Sequence, residues 1–80
     1  MDSPYHYLEK IEDLKEEICL ARQAVKDAVG NVKFGLGTVA DVEAAAAARE
    51  AIVLRCEAEI RNVYPHYLEE VRVRREKAAQ

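Results

Sequence analysis

The 80-residue sequence predicts an all-α fold, an antiparallel helical hairpin of two long helices. Both halves of the chain repeat apolar residues at alternating steps of three and four, the spacing of one helix face. The break in this pattern lies near the middle, at residues 34–38, where two glycines interrupt helix-forming sequence. We predict a single domain over residues 1–80, with helices at 4–33 and 39–77 joined by a turn at 34–38.

The two apolar patterns mirror each other about the turn. In an antiparallel pair the numbers of two facing residues sum to a constant, and a sum of 74 pairs apolar or aromatic residues at seven of eight levels. At the eighth level Arg49 faces Val25, and it is predicted to extend toward Asp27 or to fix the register. We call these paired positions the seam: Tyr7, Ile11, Leu14, Ile18, Ala21, Val25, Ala28 and Val32, facing Tyr67, Val63, Ile60, Cys56, Val53, Arg49, Ala46 and Val42.

The first helix has recognisable start signals and one solvated face. Ser3 suits an N-cap position and Pro4 the first helical turn, so the helix is expected to begin near residue 4. Charged residues cover its outer face between Glu9 and Asp27, a pattern typical of a helix face in water.

The turn carries a helix stop followed by a helix start. Gly35 and Gly37 can take the left-handed conformation that closes a helix C-terminus. Thr38, with Asp41 three residues later, resembles a capping box.

The second helix carries a second periodic face, about 160° from its seam by the helical angle of 100° per residue. We call it the alanine-rich face and predict that it binds a partner, because small side chains let another helix approach closely. The alternative is that alanine, the best helix former, simply fills a surface. The face consists of Ala40, Ala44, Ala47, Ala51, Leu54 and Ala58.

A partner is expected on physical grounds, because a chain this short buries little surface on its own. The most economical partner is a second copy, giving a homodimer that completes an antiparallel four-helix bundle. A larger protein is the other possibility.

Two sequence features lie in the last part of the second helix. Pro65 removes a hydrogen bond and should kink the helix, which continues to about residue 77. The basic residues between Arg72 and Lys77 complement the helix dipole, which accounts for them better than a nucleic-acid site does.

His6-Tyr7-Leu8-Glu9 recurs as His66-Tyr67-Leu68-Glu69, at the same end of the hairpin. Two His-x-x-Glu pairs suggest a metal site, whereas tyrosines facing the seam suggest a ring layer that closes this end. Glu69 points away from the seam by helical angle, which favours the ring layer, and we expect no metal and no cofactor.

The composition indicates a cytoplasmic protein without a membrane or nucleic-acid partner. The net charge is −3, no apolar run approaches the length of a membrane span, and the N-terminal residues lack the pattern of a signal peptide.

The two cysteines, Cys19 and Cys56, lie at one level of the hairpin but point in different directions. We expect both to be reduced thiols, with Cys56 in the core and Cys19 on the surface or in a second interface.

Residues 34 to 48 read Gly-Leu-Gly-Thr-x-x-Asp-Val followed by an alanine-rich helix, and they resemble the helix-turn-helix tip of TolC-like outer-membrane efflux proteins. In that family the pattern marks the tip of a periplasmic coiled coil that meets an adaptor protein, and the resemblance implies a similar tip here. Glu43 departs from the family's usual leucine, and efflux activity is not inferred. In size and architecture the chain is also similar to the small helical-hairpin co-chaperones of type III secretion.

No phosphate-binding loop, carboxylate pair or nucleophile with a nearby base is evident in the sequence, so we expect no enzymatic activity. The sequence instead predicts a protein-protein interaction module, an adaptor, regulator or small chaperone, acting through the alanine-rich face. The alternatives are a self-assembling structural component and a small metal-binding helical protein or enzyme subunit.

Overall fold

The computed structural model describes residues 6–79, and these form a two-helix hairpin. The first helix, α1, spans His6–Lys33, and the second, α2, spans Val39–Ala79. No strand occurs among the described residues, so the predicted all-α hairpin is confirmed. The predicted helix start near residue 4, with Ser3 and Pro4, lies outside the described residues, and α2 runs two residues beyond the predicted end at 77.

A Schellman motif ends α1. The Leu36 N–H donates to the Asn31 carbonyl at 2.7 Å, and the Gly35 N–H donates to the Val32 carbonyl at 3.1 Å. Gly35 is the residue in the left-handed region, with φ of 73°. Of the two glycines proposed to close the helix, Gly35 therefore does so. Gly37 faces Asn31 instead, since a Cβ added there would lie 3.2 Å from the Asn31 Cβ.

A reciprocal capping box begins α2. The Asp41 N–H donates to the Thr38 hydroxyl oxygen at 3.3 Å, and the Thr38 N–H donates to the Asp41 carboxylate at 2.9 Å. The Asp41 N–H also donates to the Thr38 carbonyl at 3.1 Å, and the Asp41 carboxylate lies at the positive end of the helix dipole. The turn thus fixes both the end of one helix and the start of the next.

The seam forms the core of the hairpin. Its eight α1 positions are all buried or half-buried, and so are seven of its eight α2 positions. Arg49, the charged exception, is exposed. The buried residues are Ile11, Leu14, Ala21, Cys56 and Val63, with Cys56 fully enclosed. A strict heptad pattern did not predict the half-burial of Ala45 and Ile52, which lie beside the seam on α2.

Two interhelical contacts fix the register. The rings of Tyr7 and His66 stack with centroids 5.4 Å apart, and Arg55 forms an ion pair with Glu17. The residue numbers of these pairs sum to 73 and 72, next to the predicted 74. Neighbouring positions on a helix lie only about 1.5 Å apart along the axis, so the predicted register agrees with the observed one.

The hairpin is a rod of 63 × 20 × 20 Å, and α2 runs its length. At about 1.5 Å per residue, the 41 residues of α2 span roughly 60 Å. Pro65 lies inside α2 and is exposed, and it has no backbone N–H to donate to the carbonyl one turn earlier. The kink at Pro65 stays a prediction. In this register His6 faces residue 68, so residues 69–79 extend beyond the described part of α1.

Candidate functional site

The alanine-rich face lies in solvent along its whole length. Its five alanines are all exposed, and Leu54, the one large side chain among them, is 59% exposed. Its position follows from helix geometry, because packing the seam against α1 turns the opposite face of α2 outward. The structure therefore places all six predicted binding residues on one open helix surface.

One edge of this face carries a row of glutamates at heptad spacing: Glu43, Glu50 and Glu57. All three are exposed, and within residues 6–79 none of them forms an ion pair. The other edge carries Arg55, which is occupied by its ion pair with Glu17 and a weaker one with Glu59 at 3.8 Å. The two edges of the face thus differ in charge and in how well that charge is neutralised.

An open depression of about 430 Å³ lies between the helices on the glutamate edge. Arg22 and Lys26 of α1 and Arg49 of α2 contribute three positive charges to its lining, and Glu50 contributes one negative charge. None of the three cations has an ion-pair partner among the described residues. We call this feature the basic depression.

The apolar part of the basic depression is formed by Val25, Val53 and Leu54. Leu54 also belongs to the alanine-rich face, so the two features are contiguous. Arg49 does not pair with Asp27, whose carboxylate accepts a hydrogen bond from Gln23 at 2.8 Å instead. An arginine at a seam position therefore leaves a gap between the helices and places a charge beside it.

The repeated His-Tyr-Leu-Glu segments form a ring cluster. His6 lies edge-on to Tyr7 at 5.2 Å, and Tyr7 stacks on His66. Glu69 accepts a hydrogen bond from Arg72 at 3.1 Å, which lowers the pKa of that carboxyl below its usual range. Within residues 6–79, no three His, Cys, Asp or Glu side chains are grouped closely enough to hold a metal ion.

The turn exposes an apolar surface that the sequence reasoning did not single out. Phe34 is 82% exposed, Leu36 79% and Val39 64%. The apolar residues around the two glycines could have indicated this surface, but we interpreted the segment only as a helix break. Of the other exposed apolar residues, Leu20 and Val29 lie on α1, apart from the alanine-rich face.

The two cysteines are free, Cys56 buried and Cys19 exposed, as the helical angles predict. Within the described part of the chain, neither helix has a stretch apolar and long enough to cross a bilayer. Comparisons with family models, with curated proteins and with solved structures find no match to this chain. The resemblances to the TolC tip and to type III secretion co-chaperones therefore stay predictions.

Proposed function

We propose that this protein is a non-enzymatic protein-protein interaction module whose alanine-rich face binds a helix of another protein molecule. The most economical partner is a second copy of the chain, with the two α2 helices at the centre of a four-helix bundle and the charged α1 helices outside. The observation that carries the proposal is the exposure of all six face residues on a helix whose opposite side is already packed.

The small core supports the need for a partner. Among the described residues only five side chains are buried, and three of these are smaller than leucine: Ala21, Cys56 and Val63. Burial of apolar surface contributes about 25 cal/mol per Å², so a core this narrow stabilises the hairpin weakly. Covering a second face of α2 would add apolar burial along about 27 Å of helix, the length of the face at 1.5 Å per residue.

The size of the side chains supports a helix as the occupant. Two helices pack with axes about 8 to 10 Å apart, and the spacing depends on the side chains between them. Alanine allows the lower end of this range, where backbone atoms themselves make van der Waals contact. A long, uniform row of small residues therefore fits a straight helix better than a loop or a compact ligand.

Several biological roles are consistent with such a module, and we propose an adaptor, regulator or small chaperone in the cytoplasm. The exposed free thiol of Cys19 fits a reducing compartment. The ring cluster of Tyr7 and His66 favours this role over a metal-dependent one, because these rings stack on each other.

The proposal is tested by sedimentation equilibrium over a range of concentrations, with circular dichroism to check folding. We expect wild type to associate and Ala47→Arg to be monomeric with unchanged helix content, because the long side chain prevents close approach. Ala24→Arg is the matched control, since Ala24 is an exposed alanine of α1 and its replacement should leave association unchanged. A wild type that is monomeric at every concentration, or an Ala47→Arg variant that assembles normally, would contradict the proposal.

A self-assembling structural component is a second candidate. The observation that favours it is the apolar surface of the turn, which lies at one end of the rod, beyond Ala40, the first residue of the alanine-rich face. Two separate contact surfaces permit open assembly, whereas one self-complementary surface closes a dimer. A mass that grows without limit as concentration rises indicates the structural component, and a plateau at two chains indicates the closed module.

A further inference from the structure

We infer that, in a pair of these chains, Glu50 of each copy binds over the basic depression of the other. This inference rests on the proposed function and adds to it the orientation and the polar contact of the complex. It assigns a ligand, a carboxylate carried by a second α2 helix, to the cations of Arg22, Lys26 and Arg49, which have no ion-pair partner within residues 6–79.

The size pattern of the alanine-rich face determines the orientation. In an antiparallel pair in which facing residue numbers sum to 98, Ala47 faces Ala51 and Leu54 faces Ala44 of the other copy. Each leucine then meets an alanine. A parallel pair in register would instead set Leu54 against Leu54 and hold the helices apart along a row of alanines. Close packing of two such faces therefore favours the antiparallel arrangement.

Antiparallel packing brings the same edge of the two faces together. The glutamate edge of one copy lies beside the glutamate edge of the other, with Glu50 close to the two-fold axis. Two unpaired carboxylates at this point would repel each other. The basic depression lies on this edge, next to Leu54, so each Glu50 of the pair reaches the cations of the other copy.

The composition of the basic depression matches a carboxylate on an aliphatic stem. Three cations and one glutamate leave a local charge of +2 in a chain whose net charge is −3. The apolar side chains of Val25, Val53 and Leu54 offer a surface for the methylene groups. Arginine and lysine side chains are long and donate several hydrogen bonds, so they can converge on one incoming carboxylate.

Glu43 supplies a matched comparison with the opposite expectation. It has the same residue type, lies on the same edge one heptad away and is likewise exposed and unpaired within residues 6–79. In the antiparallel register it lies beside Glu57 of the other copy on the same edge, two positions from the level paired by the sum of 98, and away from the basic depression. Charge reversal at Glu43 replaces a repulsive contact with an attractive one, whereas charge reversal at Glu50 replaces an attractive contact with a repulsive one.

The experiment measures the dimer dissociation constant of the full chain by sedimentation equilibrium at low salt. We expect Glu50→Lys to weaken the dimer by about tenfold or more, since the contact occurs twice, and Glu43→Lys to strengthen it. Arg22→Glu combined with Lys26→Glu should also weaken the dimer. Mixing this double variant with Glu50→Lys should restore association as a heterodimer, because the introduced lysine then meets an acidic depression.

Three outcomes overturn the inference. These are equal effects of Glu50→Lys and Glu43→Lys, failure of the mixed variants to associate, and a wild type that does not dimerise. The Ala47→Arg variant distinguishes a failure of the inference about Glu50 from a failure of the proposed function. If Ala47→Arg abolishes association while Glu50→Lys leaves it unchanged, the alanine-rich face is a binding surface and the assigned polar contact is wrong.

Discussion

At the residue scale, the hairpin depends on a few side chains whose burial follows from their position in the seam. Leu14 and Cys56 are buried because the heptad spacing turns them toward the other helix. Leu20 has the same chemistry as Leu14, but it lies on the outer face of α1 and is exposed. Position on the helix, more than residue type, therefore decides which side chains stabilise the fold.

Leu14→Ala should lower the free energy of unfolding by about 2 to 4 kcal/mol, because it removes a buried leucine and leaves a cavity. Leu20→Ala is the control and should change stability by less than about 0.5 kcal/mol. Urea denaturation followed by circular dichroism measures both. A loss at Leu14 as small as that at Leu20 would mean that the seam is misassigned.

Gly35→Ala should destabilise the hairpin by about 1 to 2 kcal/mol, because φ of 73° is unfavourable for a residue with a Cβ. Gly30→Ala should instead stabilise it by about 0.5 to 1 kcal/mol, since Gly30 lies inside α1 with open space around it. Thermal denaturation of both variants gives the sign of each change in stability. A Gly35→Ala variant as stable as wild type would show that the turn does not require a left-handed residue.

Single-residue properties were predictable from the sequence wherever one helix period decided them. The burial of Cys56, the exposure of Cys19 and the capping role of Thr38 all follow from local spacing. The half-burial of Ile52 and the gap beside Arg49 were not predictable in this way, since they depend on how two curved surfaces meet. The exposed apolar surface of the turn was missed because a helix break gives no information about the side chains around it.

At the element scale, α2 is a helix with two distinct faces. One of its sides packs on α1, and the other presents the alanine-rich face to solvent. The positions of both sides were predictable, because each is a periodic row in the sequence. The basic depression was not, since its residues come from two helices and acquire a common location only after folding.

The end of α2 beyond α1 should respond to pH. Arg72 lies between Glu69 and Glu76 and pairs with both, and its hydrogen bond lowers the pKa of Glu69. A carboxyl whose pKa is lowered by folding stabilises the folded state above its unfolded pKa, and the effect is lost as the pH falls through the lowered value. Helicity of residues 69–79 should therefore decrease as the pH falls below about 4, the ordinary glutamate range.

Carbon-13 chemical shifts of the backbone in residues 69–79 measure this change during an acid titration. Arg72→Gln is the control, because it removes both ion pairs and should make helicity of this segment lower at neutral pH and less sensitive to acid. Equal titration behaviour in wild type and Arg72→Gln would assign the pH response to other carboxylates.

At the scale of the whole molecule, the hairpin is a thin rod with a small core and several exposed apolar side chains. The rod measures 20 Å across, the width of two helices, so every residue lies near the surface. A second hairpin packed on the alanine-rich face would produce a four-helix bundle and a core enclosed on more sides. The shape of the isolated chain therefore predicts a partner on the alanine-rich face, as the composition of α2 does.

The most direct test of this account is the accessibility of alanine methyl groups to a soluble paramagnetic agent, measured by NMR on alanine-methyl-labelled protein. We predict that the methyl groups of Ala44, Ala47 and Ala51 become protected as protein concentration rises, while Ala24 stays accessible. Methyl groups of the alanine-rich face that remain as accessible as Ala24 at every concentration would contradict the account.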